Sequence, residues 1–289
     1  MKHFAVLYTC YNRKEKTLAS LKSLYDVAQR TTPTLSFKVY LTDDGSTDGT
    51  AEAVSLQFPE VQIIEGDGTL FWAEGMRKSW KAALDQDYEA FLLLNDDVEL
   101  YENLFDQLLK THKYAVDHLG KSGIYIGATE DRFTKKLTYS GSILLNRFLY
   151  TAKRLEPNGK VQRCDMANAN IMMVTKEAVA QIGILSEGYS HGMADYDYSL
   201  MANRSNIPVL IAPAYCGHCL NDHTDHYEGF AEKSFKERKN HLYKPNGLAL
   251  GSYKKYMWKF FPFRYPFVVF FGWLKLYFPK LYLNFFRNR

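Results

Sequence analysis

Phe37-Lys38-Val39-Tyr40-Leu41 passes into Thr42-Asp43-Asp44-Gly45-Ser46, and Phe91-Leu92-Leu93-Leu94 passes into Asn95-Asp96-Asp97. Strands that are apolar on nearly every residue belong to a sheet buried on both faces, usually a parallel one with helices between its strands. In such open sheets ligands bind outside the carboxyl ends of the strands. Carboxylates gathered there twice are costly unless something positive answers them. A divalent cation carrying a phosphorylated ligand would do so, and the chain reads as an enzyme.

Working outward, Phe4 to Tyr8 reads as a first buried strand ending at Thr9-Cys10-Tyr11-Asn12. Leu18, Leu21, Leu24 and Val27 then follow helical spacing, with Asn12 or a neighbour as cap and a break at Thr31-Thr32-Pro33-Thr34. A short helix reaches about Phe58, a short strand covers Val61 to Ile64, and a helix covers about Ala73 to Leu84 before the strand Ala90 to Leu94. This β-α-β-α-β-α-β order is that of a parallel sheet with right-handed crossovers. Beyond it, a helix is expected around Leu104 to His112 and a strand at Ile124 to Gly127. Alternating stretches near Leu137 to Leu145 and Asn170 to Val174 read as more exposed or antiparallel strands. Thr175 caps a helix through Ile182, Tyr196 to Arg204 is helical, and Ile207 to Ile211 is a strand ending at Ala212-Pro213.

The 289 residues, 46% hydrophobic and 24% charged, suit a folded chain with a sizeable core. The net charge of +4 is uneven: Gly251 to Arg289 holds Lys and Arg but no Asp or Glu, so the preceding body is net acidic. Four cysteines are too few for a disulfide scaffold, and Met1-Lys2-His3 leads into a strand rather than a signal peptide. A reducing cytoplasm is the expected compartment.

Asp43 to Thr50 supplies carboxylates beside a glycine turn and a helix start, able to accept hydrogen bonds from a nucleobase or ribose; a plain helix cap is the alternative. Asn95-Asp96-Asp97 is the stronger metal candidate. Mg²⁺ or Mn²⁺ takes oxygen ligands, typically one or two carboxylates with substrate phosphates and water.

Together these pieces resemble the inverting nucleotide-sugar glycosyltransferases of family 2, which have the GT-A fold: a Rossmann-like, mostly parallel α/β sheet flanked by helices. Val6 to Arg13 resembles that family's opening strand, and Asp43 to Asp48 its DDGS-T-D signature. Asn95-Asp96-Asp97 stands at its metal-binding D-x-D. Gly66 to Ser79 resembles its G-x-x-x-A-R-N segment, most closely in rhamnosyltransferase-like and galactofuranosyltransferase-like members, with Lys78 where Asn is usual. The resemblance covers roughly residues 3 to 225. It implies donor contacts from Thr9, Tyr11, Asn12, Asp43, Asp44, Gly68, Trp72, Arg77, Lys78, Asn95 and Asp96. It also implies Mn²⁺ or Mg²⁺ on Asp97 and His218, with Asp195 of Ala194-Asp195-Tyr196-Asp197 as catalytic base. In that last element Ala194 replaces the usual Glu.

The expected organisation is one GT-A domain, with residues 1–100 as its nucleotide-sugar half and 101–235 as its acceptor and catalytic half, followed by a basic aromatic tail over 236–289. The expected reaction moves a sugar, from dTDP-rhamnose or a UDP-hexose, to a glycan or lipid-linked acceptor in cell-surface polysaccharide synthesis. A sugar-nucleotide nucleotidyltransferase would want a glycine-rich loop after strand one, where Thr9 to Arg13 has no glycine. A catalytically inactive binding scaffold has only Ala194 in its favour.

Ala212 to Cys219 (APAYCGHC) looks like a thioredoxin-type redox site, but that chemistry needs the first thiolate at a helix start, and the following residues are poorly helical. A zinc site from Cys216, His218, Cys219, His223 and His226 fits no common spacing. The tail's longest uncharged run, Tyr265 to Leu274, is too short to span a bilayer. Its aromatics and cations suit the headgroup boundary of an anionic membrane, on the inner face of the cell membrane; packing on the domain is the alternative. Nucleic acid is not expected, because the body is acidic and carries no such motif.

Overall fold

The computed structural model describes residues 1–31, 35–220 and 225–287. His223, one of the zinc candidates, lies outside the described residues. β1 (His3–Cys10), α1 (Lys14–Arg30), β2 (Ser36–Asp43), α2 (Thr50–Gln57), β3 (Gln62–Glu65), α3 (Phe71–Ala83) and β4 (Ala90–Leu94) realise the expected alternation. β1 pairs in parallel with β2 on one side and β4 on the other, and β3 extends beyond β2. The chain therefore reverses its direction of travel across the sheet between β1 and β4. Ligand crevices form at such switch points. Here the crevice is bordered by the Thr9–Asn12 and Asn95–Asp97 turns.

The second half comprises β5 (Glu99–Leu100), α4 (Leu104–Leu119), β6 (Ile124–Glu130), β7 (Leu137–Tyr139), β8 (Gly141–Asn146), β9 (Thr151–Arg154), β10 (Gln162–Arg163) and β11 (Met166–Ala167). β12 (Ile171–Thr175), α5 (Lys176–Ile182), α6 (Ala194–Arg204) and β13 (Val209–His218) complete it. The main sheet runs β10-β13-β6-β12-β4-β1-β2-β3, with β5 on β13 and β7 on β6, while β11, β8 and β9 form a separate three-stranded sheet. Thr175 caps α5 as expected, accepting from the Ala178 N–H.

Two expectations are corrected. The 170–174 stretch is antiparallel, but β12 is buried on every residue because it sits between β4 and β6 in the middle of the sheet. The strand expected to stop at Ala212-Pro213 instead runs to His218. Its pairing with β6 is irregular between Ile211 and Tyr215, and a bulge of that kind tolerates proline's missing N–H. Cys216 therefore lies in a strand, not at a helix start, which removes the redox reading.

The C-terminal region folds as α7 (Phe235–Tyr243), α8 (Leu250–Phe260), a 3₁₀ turn (Pro262–Arg264), α9 (Tyr265–Tyr277) and α10 (Pro279–Tyr282). Among the described residues no helix is long and apolar enough to cross a membrane. α8 is part of the body: Tyr256, Met257 and Phe260 pack with Met166, Tyr189, Ala194 and Leu200. α9 leaves much of its aromatic surface exposed.

Candidate active site

At the end of β2, both carboxylates are buried and answered by backbone. Asp43 accepts from the Ser46 N–H at 2.8 Å, closing the turn. Asp44 accepts from the N–H groups of Gly68 (3.0 Å), Leu70 (3.2 Å) and Phe71 (2.9 Å), ordering the loop that enters α3. The loop lies so close that a Cβ on Gly66 would come 2.6 Å from Asp44 Cα, and Gly68 has φ +84°. Glycine meets both requirements. Asn12 ties the neighbouring turn in: its N–H donates to Ser46 Oγ at 2.9 Å and its Oδ1 accepts from the Thr47 N–H at 2.7 Å. Arg13, not Asn12, is the residue preceding α1. Thr9 is buried against α3, where a Cβ on Gly75 would meet its Oγ1 at 2.2 Å, while Tyr11 is half exposed at the rim.

The end of β4 is answered differently. Arg13 donates from Nη1 to Asp96 Oδ1 at 3.1 Å and from Nη2 to Asp97 Oδ2 at 2.6 Å. Asp96 is buried; desolvation pushes its carboxyl up to about 7, with Arg13 opposing that rise and Asp97 adding to it. Asn95 turns its Oδ1 to the Trp72 indole N–H at 2.8 Å. Trp72 is thereby held at the crevice as a hydrogen-bonded, part-buried ring. Arg13 opens the charged run Arg13-Lys14-Glu15-Lys16, and nothing local singles it out, because its two partners lie more than eighty positions away.

β13 brings His218 to the same place. β5 follows Asp97 immediately and pairs with β13, setting His218 opposite Glu99 and Gly217 opposite Leu100. A Cβ at Gly217 would meet the Glu99 carbonyl at 2.6 Å, so only glycine permits this approach. Asp97 and His218 then line one cavity of about 270 Å³ with Lys16, Arg132 and Phe133. His218 Nδ1 lies 3.0 Å from the Tyr101 hydroxyl, and burial, followed by Lys135 and Arg132, depresses its pKa, favouring the neutral imidazole. Cys219 Sγ lies 3.6 Å from Asp97 Oδ1; burial pushes its thiol pKa up, so it stays protonated.

A divalent cation in this cavity would draw on Asp97 and His218. A carboxylate and a neutral imidazole share a cavity, and a guanidinium already bridges the two aspartates where positive charge is needed. Among the described residues no three acidic, His or Cys side chains converge as ligands. The remaining coordination would fall to substrate phosphates and water, as is usual for Mg²⁺.

Asp195 sits in the first turn of α6, after Met193 at φ +74°. Burial pushes its carboxyl up to about 6, against the lowering effect of the Tyr196 and Ala169 N–H groups and of the Asn168 side chain at 3.5 Å. It lines a cavity of about 470 Å³ with Asn168, His191, Tyr196, His226 and Asn246. Asp197, two residues on, is fully buried and accepts from Tyr189 Oη (2.7 Å), Ser186 Oγ (2.6 Å) and Lys259 Nζ (2.8 Å), fastening α8 to the body. Ala194 lies in the apolar cluster beneath α8, where a glutamate's charge would be costly to bury.

Arg77 and Lys78 are not brought to Asp97. Arg77 is buried, donates to the Ser186 carbonyl at 3.1 Å and pairs with Glu74; Lys78 reaches the Glu65 carbonyl at the end of β3.

A mixed, mostly parallel sheet with carboxylates at its switch point and helices on its faces is a GT-A-like fold. The sequence model described as Glycosyl transferase family 2 matches residues 5–174, more than half of the chain, and the chain belongs to that family. It is therefore a glycosyltransferase by family. Among solved structures, it resembles a mannosyltransferase, PcManGT from Pyrobaculum calidifontis in complex with GDP-Man and Mn²⁺, at 14% identity and TM-score 0.56, over 96% of this chain and 71% of that one. It also resembles S. aureus TarS, at 15% identity and TM-score 0.52, over 84% of this chain but only 40% of TarS. The 1–349 portion of TarS in complex with UDP gives 17% identity and TM-score 0.52, over 84% and 72% of the two chains. At these identities the likeness is one of fold. No curated protein matches the chain in sequence.

Proposed function

We propose that the enzyme transfers a sugar from dTDP-rhamnose or a UDP-hexose, in the manner of the rhamnosyltransferase-like and galactofuranosyltransferase-like branch, to a hydroxyl of a glycan or lipid-linked acceptor. The product belongs to cell-surface polysaccharide synthesis at the cytoplasmic face of the membrane. One observation carries the chemistry: Asp195, alone among the α6 carboxylates, opens into a cavity with its pKa raised to about 6. A base so placed takes the acceptor proton as that oxygen attacks the anomeric carbon, and displacement from the opposite face inverts the centre.

Tyr11, Asn12, Asp43 and Thr9 border the nucleoside side of the crevice. Asp44 acts through the loop it orders, which sets Gly68 and Trp72. Asn95 and Asp96 orient Trp72 and Arg13. Asp97 and His218 would hold Mn²⁺ or Mg²⁺, which would supply positive charge to the leaving diphosphate. Arg13 remains beside the same oxygens as a second cation. Arg77 and Lys78 support the α3 face of the donor site rather than the diphosphate. GDP-Man bound to the mannosyltransferase and UDP bound to the TarS portion support a nucleotide-linked sugar as donor.

Asp195→Asn is expected to abolish transfer while nucleotide binding, measured by calorimetry, survives. The wild-type rate should fall as pH drops through about 6, because the base must be unprotonated to act. An Asp195→Asn variant that keeps full turnover removes Asp195 from the mechanism.

A further inference from the structure

The β8–β9 hairpin is an unexpected neighbour of the C-terminal helices. Its tip exposes Leu145, Phe148 and Leu149 to solvent, with Phe148 64% exposed. The Phe148 ring lies 6.2 Å from Phe263, which is itself 73% exposed, and Arg147 stands over the Phe261 ring at 5.5 Å. Tyr150, at the base of the tip, packs edge-on against Phe261 at 4.7 Å and reaches the Tyr256 hydroxyl at 3.3 Å. One turn beyond Phe263, α9 carries Phe267, Phe270, Trp273 and Tyr277, all exposed and spaced three or four residues apart. That spacing places them on one face of the helix. The hairpin and α9 thus meet through Phe148 and Phe263 to make one aromatic surface.

The charge carried by its own two segments is of one sign. Neither residues 141–154 nor residues 251–287 contain Asp or Glu. Lys259 and Lys275 are turned inward, to Asp197 and to the Tyr227 and Tyr282 rings, and Arg287 pairs at the surface with Asp225. Arg147, Lys153 and Lys280 remain exposed. An aromatic surface fringed by cations matches the headgroup layer of an anionic bilayer, where rings sit at the boundary and each cation is attracted to the surface. A second copy of the chain would bring like charges together.

We propose that the hairpin tip and the outer face of α9 seat together on an anionic lipid bilayer, with Phe148 and Leu149 entering the headgroup layer. This rests on the reading above that the acceptor is membrane-borne, and it supplies the route. Pro245 to Ala249, which immediately precede α8, line the Asp195 cavity, and Tyr256 of α8 touches Tyr150 of the hairpin. A lipid-linked saccharide anchored under this surface has its sugar end beside the base.

The test is flotation of the full chain with vesicles of phosphatidylcholine alone or mixed with phosphatidylglycerol, beside a Phe148→Ser/Leu149→Ser variant. Melting temperature and nucleotide-sugar hydrolysis, which the variant should leave unchanged, verify its fold. The full chain is expected to float only with the anionic vesicles, and the variant to lose about tenfold in partition as two apolar anchors are removed. Binding of the variant equal to that of the full chain overturns the role of the hairpin while the membrane reading stands. Failure of the full chain to bind either vesicle overturns both. A dimer in sedimentation that the variant abolishes, without vesicle binding, assigns the surface to a second copy and overturns the proposal.

Discussion

The ends of β2 and β4 look alike in sequence, two aspartates after an apolar run, yet the structure treats them in opposite ways. Asp44 is satisfied by three backbone N–H groups within its own half of the sheet, and Asp43 by one. Asp96 and Asp97 are answered by side chains instead: Arg13, about a third exposed, bridges the two, Thr17 donates to Asp96 at 3.5 Å and the Cys219 thiol to Asp97 at 3.6 Å. Backbone donors are fixed by the chain trace and cannot leave. A guanidinium on a flexible stem can be supplemented or displaced by another cation. The first pair therefore builds the crevice, and the second is available to work in it.

The contrast is sharpest for activity. Asp97→Ala should lower kcat/KM about 10³-fold, in line with the loss of one electrostatic stabiliser of the leaving group, and shift the melting temperature little. A normal turnover number places the cation elsewhere. Asp44→Ala should do the reverse at first order. It strands three N–H donors in the loop entering α3 and should cost about 3 kcal/mol of stability, measured by denaturant unfolding. A variant as stable as the parent breaks the distinction between the two pairs. Arg13→Ala is the smallest effect, about 1 kcal/mol. Its size depends on pH. The folded-state pKa of Asp96 is raised, so ionising it costs stability as pH climbs from the ordinary carboxylate range through about 7, and losing Arg13 deepens that cost. The destabilisation should therefore be larger at pH 8 than at pH 5; an equal loss at both would remove the ion pair from the account.

What the sequence revealed follows the range of the forces involved. β4 was legible to the residue because Ala90 to Leu94 is apolar throughout and bounded by polar turns. α4 was read seven residues short, because the polar residues after His112 obscure its periodicity although Ala115 remains buried. Pro213 reads as a strand stop in any local window. Only the irregular pairing with β6 lets β13 continue, and that continuation carries His218 to Asp97. Asp97 stands out as a metal candidate from its own neighbours, whereas His218 and Asp195 enter through the resemblance alone; strand register is what sets His218 in the cavity of Asp97. Arg13, the Asp197–Lys259 anchor and the meeting of Phe148 with Phe263 had no local signature at all. The tail shows the same limit: one composition yields a packed α8 and an exposed α9.

The central claim is that the β4 end holds a cation which grips the donor diphosphate. It is tested most directly by titrating UDP and dTDP calorimetrically into the wild type and Asp97→Asn, each with and without Mn²⁺. Mn²⁺ should tighten binding to the wild type by about tenfold or more and leave the variant unaffected. Equal affinity with and without Mn²⁺ in the wild type, or undiminished enhancement in Asp97→Asn, would contradict it.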